Sequence, residues 1–247
     1  MNDQAWLISA VNNQFVGIIH RRNEINTHIY VGGKKKGCVI LDIDHEELEA
    51  TLHVGYDKKC NINGDLPNKR GTILMIKAAC TFMFHMFPNV TQIVIRDTSA
   101  TPRMQLFLYG KTWYQRHFDA QPDGCHAKLA AFLDVIKTKP EFSQIWEIIC
   151  DTIPRRKRNQ VKLELSKVYE NANSLSNWVQ KLIRDVGADR DCEILDPWLF
   201  TLFNVLSNNL PINEMEWIIE KDKTYVEIEC EELDTIEGLK WTPKCTP

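Results

Sequence analysis

Arg70-Gly71-Thr72 stands where a polar stretch gives way to an apolar one, and its residue types suit a chemical task. Backbone N–H groups in the first turn of a helix have no partners within that helix, and the helix dipole favours negative charge beside them. A glycine there lets the chain approach a bound group closely, so the segment suits phosphate oxygens. It equally suits a plain helix start, with Gly71 taking an unusual backbone angle and Thr72 serving as the cap. Cys125-His126 with His117, and Cys60 with His53, offer nitrogen and sulfur ligands. They do not form two close ligand doublets, so no metal is expected. A cysteine nucleophile needs a thiolate beside a histidine, and no feature of the sequence selects one. Arg155-Arg156-Lys157-Arg158 and Lys34-Lys35-Lys36 are the concentrated basic runs. The first suits nucleic-acid contact or nuclear targeting, but 30 basic against 33 acidic residues leave a formal charge of −3. With no interleaved aromatics either, a nucleic-acid partner is not expected.

The elements that must position these residues follow from periodicity. Residues 72–87 carry apolar side chains around nearly the whole helical circumference, which predicts a helix buried on most sides. Pro88-Asn89 stops it, and residues 91–96 have the β-branched content of an internal strand. Upstream, Trp6-Leu7-Ile8, Phe15 to Ile19 and Ile29-Tyr30-Val31 predict short strands. Gly32 and Gly37 bracket a hairpin connection into residues 38–43, and a further strand is expected over 50–56. Residues 57–71 carry Asn-Gly and Leu-Pro, which are loop signals.

Downstream of residue 102 the pattern is helical through Phe118, and Pro122-Asp123-Gly124 supplies a turn. Residues 125–137, 140–149, 160–171, 174–186 and 197–207 then predict helices. The tail returns to strands, 215–220 and 225–230, expected as a hairpin with one solvated face. The fold class is therefore α+β or α/β, with a mixed, mainly antiparallel sheet, a buried helix, a helical segment and a C-terminal hairpin. The expected divisions are 1–120, 121–210 and 211–247. At 247 residues the chain needs no staples. Its eight cysteines are scattered and none forms a Cys-x-x-Cys pair, so reduced thiols in a cytosolic setting are expected. The first residues lack a basic start and a long apolar run, and no later stretch suits a membrane span, so neither secretion nor membrane insertion is expected.

Two antiparallel strands, a glycine-containing loop, a buried helix, a strand and a second helix with Tyr and Phe resemble the central part of the GNAT-type N-acetyltransferases. That family binds the pyrophosphate of acetyl-CoA with Gln/Arg-x-x-Gly-x-Gly/Ala at the start of the first helix, and its second helix commonly carries Leu-Tyr-x-x-x-Gly-Phe. The matching residues here are Asn68-Lys69-Arg70-Gly71-Thr72-Ile73 and Trp113-Tyr114-Gln115-Arg116-His117-Phe118. Asn68 replaces the Gln or Arg, Ile73 replaces the second small residue, and the Tyr-to-Phe interval is one residue short without a glycine. The bulk of Ile73 obstructs the close backbone approach that small residues permit. Gly110-Lys111-Thr112-Trp113-Tyr114, following Tyr56-Asp57-Lys58-Lys59-Cys60 and Gly71-Thr72, is also similar to uncharacterised proteins of nucleocytoplasmic large DNA viruses.

Acetyl transfer needs a base for the ammonium group, donors for the oxyanion and an acid for the thiolate. The resemblance nominates Tyr114, or Tyr109, as the acid, and His53 or Asp57 as the base, directly or through a water. It nominates Asn68, Lys69, Arg70, Gly71, Thr72 and Ile73 as the cofactor cradle. The plain alternatives are a tyrosine packed on an amphipathic helix and a histidine facing solvent on an alternating strand. The expectation is a viral-type soluble protein with a degenerate acetyltransferase-like domain, no bound cofactor and an interaction or assembly role with little or no catalysis. The alternative is an active acetyl-CoA-dependent N-acetyltransferase acting on an amine. A protein partner is expected, in the host cytoplasm or the virion, and Trp178, Trp198, Phe200, Phe203 and Trp217 could give it a surface.

Overall fold

Period-two alternation of apolar residues builds a sheet in the computed structural model, which describes residues 3–33, 36–54, 68–96, 101–186, 191–211, 215–221 and 226–234. Contacts divide the chain into two units: Met1–Arg96 with His117–Gln121 and Glu216–Pro247, and Asp97–Arg116 with Pro122–Met215. Residues 97–116 thus group with the helices, and the C-terminal strands group with the N-terminal sheet.

In the first unit, β1 (Gln4–Ala10), β2 (Asn13–Arg21), β3 (Asn26–Gly33), β4 (Lys36–Asp44) and β5 (Glu49–Val54) form an antiparallel meander. A two-residue turn with positive φ at Val11 and Asn12 joins β1 to β2, the geometry that matches strand twist in tight hairpins. Helix α1 (Asn68–Met86) follows, and β6 (Gln92–Arg96) then pairs with β5 in parallel. With β7 (Gln121–Pro122), β8 (Glu216–Glu220) and β9 (Glu229–Leu233), the sheet has the order β7-β8-β6-β5-β4-β3-β2-β1-β9. This is the mixed, mostly antiparallel sheet that the sequence leads one to expect.

α1 packs on β1, β3 and β4, and Met75, Ile76, Ala79, Phe82 and Met83 are all buried. Each fully buried Phe or Met of this kind contributes about 1.5–3 kcal/mol. Gly17 lets the helix come close: a Cβ there would lie 2.8 Å from Ile8 Cδ1 and 3.3 Å from Phe82 Cε1. The helix begins at Asn68, four residues before the expected start at 72, so Asn68 to Gly71 form its first turn.

Two expectations need correction. The C-terminal strands do not form a hairpin, because β8 pairs with β6 and β9 pairs with β1 at the far edge. Trp217 and Ile219 of β8 are both buried and pair with Ile95 and Ile93, a burial that a solvated hairpin would not supply. Cys38, buried at the start of β4, is disulfide-bonded. Linear spacing says nothing about which cysteines approach within bonding distance, so the expectation of reduced thiols fails there. Cys80, Cys125, Cys150 and Cys230 are free.

The second unit is helical: α2 (Thr101–Tyr109), the first part of α3 (Trp113–Phe118), α4 (His126–Lys137), α5 (Phe142–Ile149), α6 (Arg158–Glu170), α7 (Leu175–Val186) and α8 (Asp191–Leu206). α7 packs on α2, α4 and α6. From α7, Ser176 Oγ donates to Phe107 O at 2.5 Å and Gln180 Nε2 donates to Leu108 O at 2.6 Å. These satisfy carbonyls that the end of α2 leaves without helical partners. Trp178 is fully buried, its ring centroid 5.3 Å from Tyr169 and 5.5 Å from Trp198, and its Nε1 donates to Leu165 O at 3.2 Å. No helix among the described residues is long and apolar enough to cross a membrane. Replacing Trp178 with alanine removes the ring and its hydrogen bond together, and urea unfolding should show a loss of about 3–5 kcal/mol.

Candidate functional site

Gly17 faces Phe82 of α1, so by alternation Val16, Ile18 and His20 of β2 point to the opposite face of the sheet. Cross-strand register then decides which polar residues meet on that face. His20 opposes His28, and His28 opposes Asp42. Asp3 precedes Gln4, the partner of Ile19, which brings it to His20. Asp3 Oδ1 lies 2.5 Å from His20 Nδ1, the His20 and His28 rings stack with centroids 6.4 Å apart, and His28 Nδ1 lies 2.5 Å from Asp42 Oδ1. His53 reaches back from β5 so that its Nε2 lies 3.2 Å from Asp42 Oδ2. Arg96 follows Ile95, the partner of Leu52, and its Nε donates to Glu216 Oε1 at 2.5 Å. A stripe of acids, imidazoles and one guanidinium therefore runs from the start of β1 to β8.

Electrostatics concentrate at Asp42. Partial burial pushes its carboxyl up, but hydrogen bonds from His53 and His28, with their charges, outweigh that and hold it below 3.8. The Asp42 hydrogen bond raises His53 above 6.5; partial burial opposes this, the Asp42 charge reinforces it and the Arg96 charge works against it. The His53 side chain is 54% exposed and that of Asp42 40%, so the pair is worth about 1 kcal/mol or less. Neutral His53 is a base whose protonated form Asp42 stabilises, and protonated His53 is a cation open to solvent.

The parallel pairing of β5 and β6 sets their carboxyl ends side by side, between antiparallel neighbours on either flank. Ligands of open α/β sheets sit at such ends. The segments after these ends, 55–67 and 97–100, lie outside the described residues, and so does the expected base Asp57. Asn68, Lys69, Arg70 and Gly71 form the first turn of α1 in backbone, their side chains being outside the described set; Thr72 and Ile73 are half-buried on the same helix.

Tyr109 and Tyr114 belong to the second unit, whereas His53 belongs to the first. Tyr109 is 57% exposed beneath the Arg116 guanidinium, with Cζ 4.0 Å from its ring centroid. Tyr114 meets Trp113 edge-on at 5.3 Å. Much of the Gly110-Lys111-Thr112-Trp113-Tyr114 wording has a structural reason. Gly110, at φ 65°, ends α2 with its N–H on Leu106 O. Buried Thr112 accepts at Oγ1 from the Gln115 N–H, and Gln115 Oε1 accepts from the Thr112 N–H, a reciprocal cap on α3.

The aromatics expected to form a partner surface are mostly core: Trp178, Phe203 and Trp217 are fully buried, Trp198 nearly so, and Phe200 alone of the five is exposed. Helical spacing cannot separate the two outcomes. Burial pushes the Cys80 thiol up to about 12, which removes it as a nucleophile. Among the described residues no group of three or more His, Cys, Asp and Glu could hold a metal ion.

Sequence reading found His53 but missed Asp42, His28, His20 and Asp3. His20, His28 and Asp42 lie within their strands on the face away from α1 and Asp3 just precedes β1; their meeting depends on register.

No family model, curated protein or solved structure matches this chain. Because His53 holds its proton more tightly when folded, its contribution to stability is complete below the unfolded value of 6.5 and disappears as pH rises through the raised folded value. The Asp42 contribution is present above 3.8 and is lost as pH falls through its lowered folded value. A proton NMR titration should therefore find His53 above its ordinary range, and Asp42→Asn should bring it back down. An unchanged titration in the variant would show that the pair does not form in solution.

Proposed function

We propose that this is a viral-type protein whose first unit keeps the frame of an acetyltransferase-like domain and serves an interaction or assembly role, with little or no catalysis. The observation that carries the reading is the β5–α1–β6 crossover: a parallel strand pair with a buried helix between, set in an otherwise antiparallel meander. The resemblance places a pyrophosphate cradle at the first turn of that helix. In this chain Ile73 occupies the turn where a small residue is called for, and its side chain obstructs the close approach of a pyrophosphate to the backbone. Fold without the matching site residues does not carry activity with it.

Cys38 bears on the setting. Disulfides persist in oxidising places, virion surfaces among them, and are rare in the reducing cytosol. Of the two settings the resemblance implies, the bond at Cys38 favours the virion.

A second reading, an active acetyl-CoA-dependent N-acetyltransferase, is favoured by the His53–Asp42 pair near the carboxyl end of β5. In that reading His53 takes the proton of an amine and Asp42 steadies the imidazolium. Isothermal titration with acetyl-CoA and with CoA separates the two. The proposed role predicts no binding at millimolar cofactor. Micromolar binding abolished by Gly71→Trp would overturn it in favour of the enzyme.

A further inference from the structure

The 3-10 turn Arg155–Lys157 holds three adjacent cations. Arg155, Arg156 and Lys157 are all exposed, and no carboxylate among the described residues approaches any of them. Their neighbour Arg158 differs: its Nη2 donates to Asp151 Oδ1 at 3.0 Å and its Nε donates to Ile153 O at 3.1 Å. Beside the turn, α6 adds exposed Lys162, whose ammonium lies over the Trp146 ring at 5.5 Å, and exposed Leu163. A like-charge turn of this kind is repelled by itself and steadied by an acidic surface.

The chain carries a matching acidic surface in its other unit. Glu227, Glu229, Glu231, Glu232 and Asp234 are all exposed along and around β9, the last strand in the sheet order, and no cation among the described residues pairs with any of them. β9 meets β1 through Ser9, Ile8, Leu7, Trp6 and Ala5, none of them charged. The two surfaces therefore have opposite sign, and among the described residues neither is neutralised by a neighbouring charge.

We propose that Arg155, Arg156 and Lys157 dock the acidic β9 strand of a second copy of this chain, so that copies associate head to tail. The two contact surfaces differ, so the association is heterologous. Such contacts set register and encounter rate and are weakened by salt. This gives the assembly role proposed above its partner. It rests on surface charge and not on the cofactor site, so the cofactor titration and the test below fail independently.

Sedimentation velocity of the full chain at about 0.01 M and about 1 M salt, where the screening length falls from about 30 Å to about 3 Å, should show association at low salt and monomers at high salt. Two charge-reversed chains sharpen the test: Arg155→Glu with Arg156→Glu and Lys157→Glu, and Glu229→Lys with Glu231→Lys and Glu232→Lys. Each alone should stay monomeric at low salt, and an equimolar mixture should associate again, because each then offers what the other lacks. Neutral Arg155→Gln with Arg156→Gln and Lys157→Gln, the gentler change for folding, should weaken association about tenfold or more. The proposal is overturned by a wild-type chain that is monomeric at low salt, by association that salt does not touch, or by a reversed chain that assembles as the wild type does. A monomeric wild type that instead retains a single-stranded oligonucleotide through Arg155 to Lys157 would assign the turn to nucleic acid.

Discussion

A helix that is apolar on nearly every side has to be covered before the chain that carries it can be stable, and α1 is such a helix. Its buried residues include the small Ala78 and Ala79 and the bulky Phe82, Met83 and Phe84. Gly17 leaves room on the sheet side for the Phe82 ring. Since β5 enters α1 and β6 leaves it, covering the helix on one face of a single sheet makes those two strands neighbours and parallel. The side-by-side carboxyl ends of β5 and β6 are thus a by-product of burying one helix.

The polar stripe follows from the same constraint. Once one face of the meander is committed to α1, every second residue of β2 to β5 is committed to the other face, and a histidine or aspartate there meets its cross-strand neighbours. His20, His28, Asp42 and His53 are satisfied by one another, with Asp3 closing one end and Arg96 and Glu216 continuing at the other.

Some of this was legible in the sequence. The apolar circumference of residues 72–87 announced a buried helix, and the short β-branched runs announced β1 to β6, because burial patterns are written locally. The Asp42 pairing was not legible, and the reason is specific. At the turn, Gly33 pairs with Lys36 and Gly32 with Gly37, but a bulge then shifts the register so that Val31 pairs with Val39. Extending the turn register without that bulge would set His28 opposite Leu41, on the wrong face. The hairpin expected from residues 215–230 failed for a related reason: proximity along the chain favoured pairing β8 with β9, while the apolar partners each strand needed lay at opposite sides of the sheet. The cap at Thr112 and Gln115 was present in the wording of the sequence, and it explains part of the segments on which the resemblances rest.

The account stands or falls on α1 as the buried element around which the first unit is organised. Native-state hydrogen exchange reads this directly. The amides of residues 75–84 should be among the slowest in the chain and should open only with global unfolding, because their exposure requires uncovering the sheet face. Exchange there as fast as on the exposed side of α6 would contradict the account and remove the basis for the β5–α1–β6 crossover.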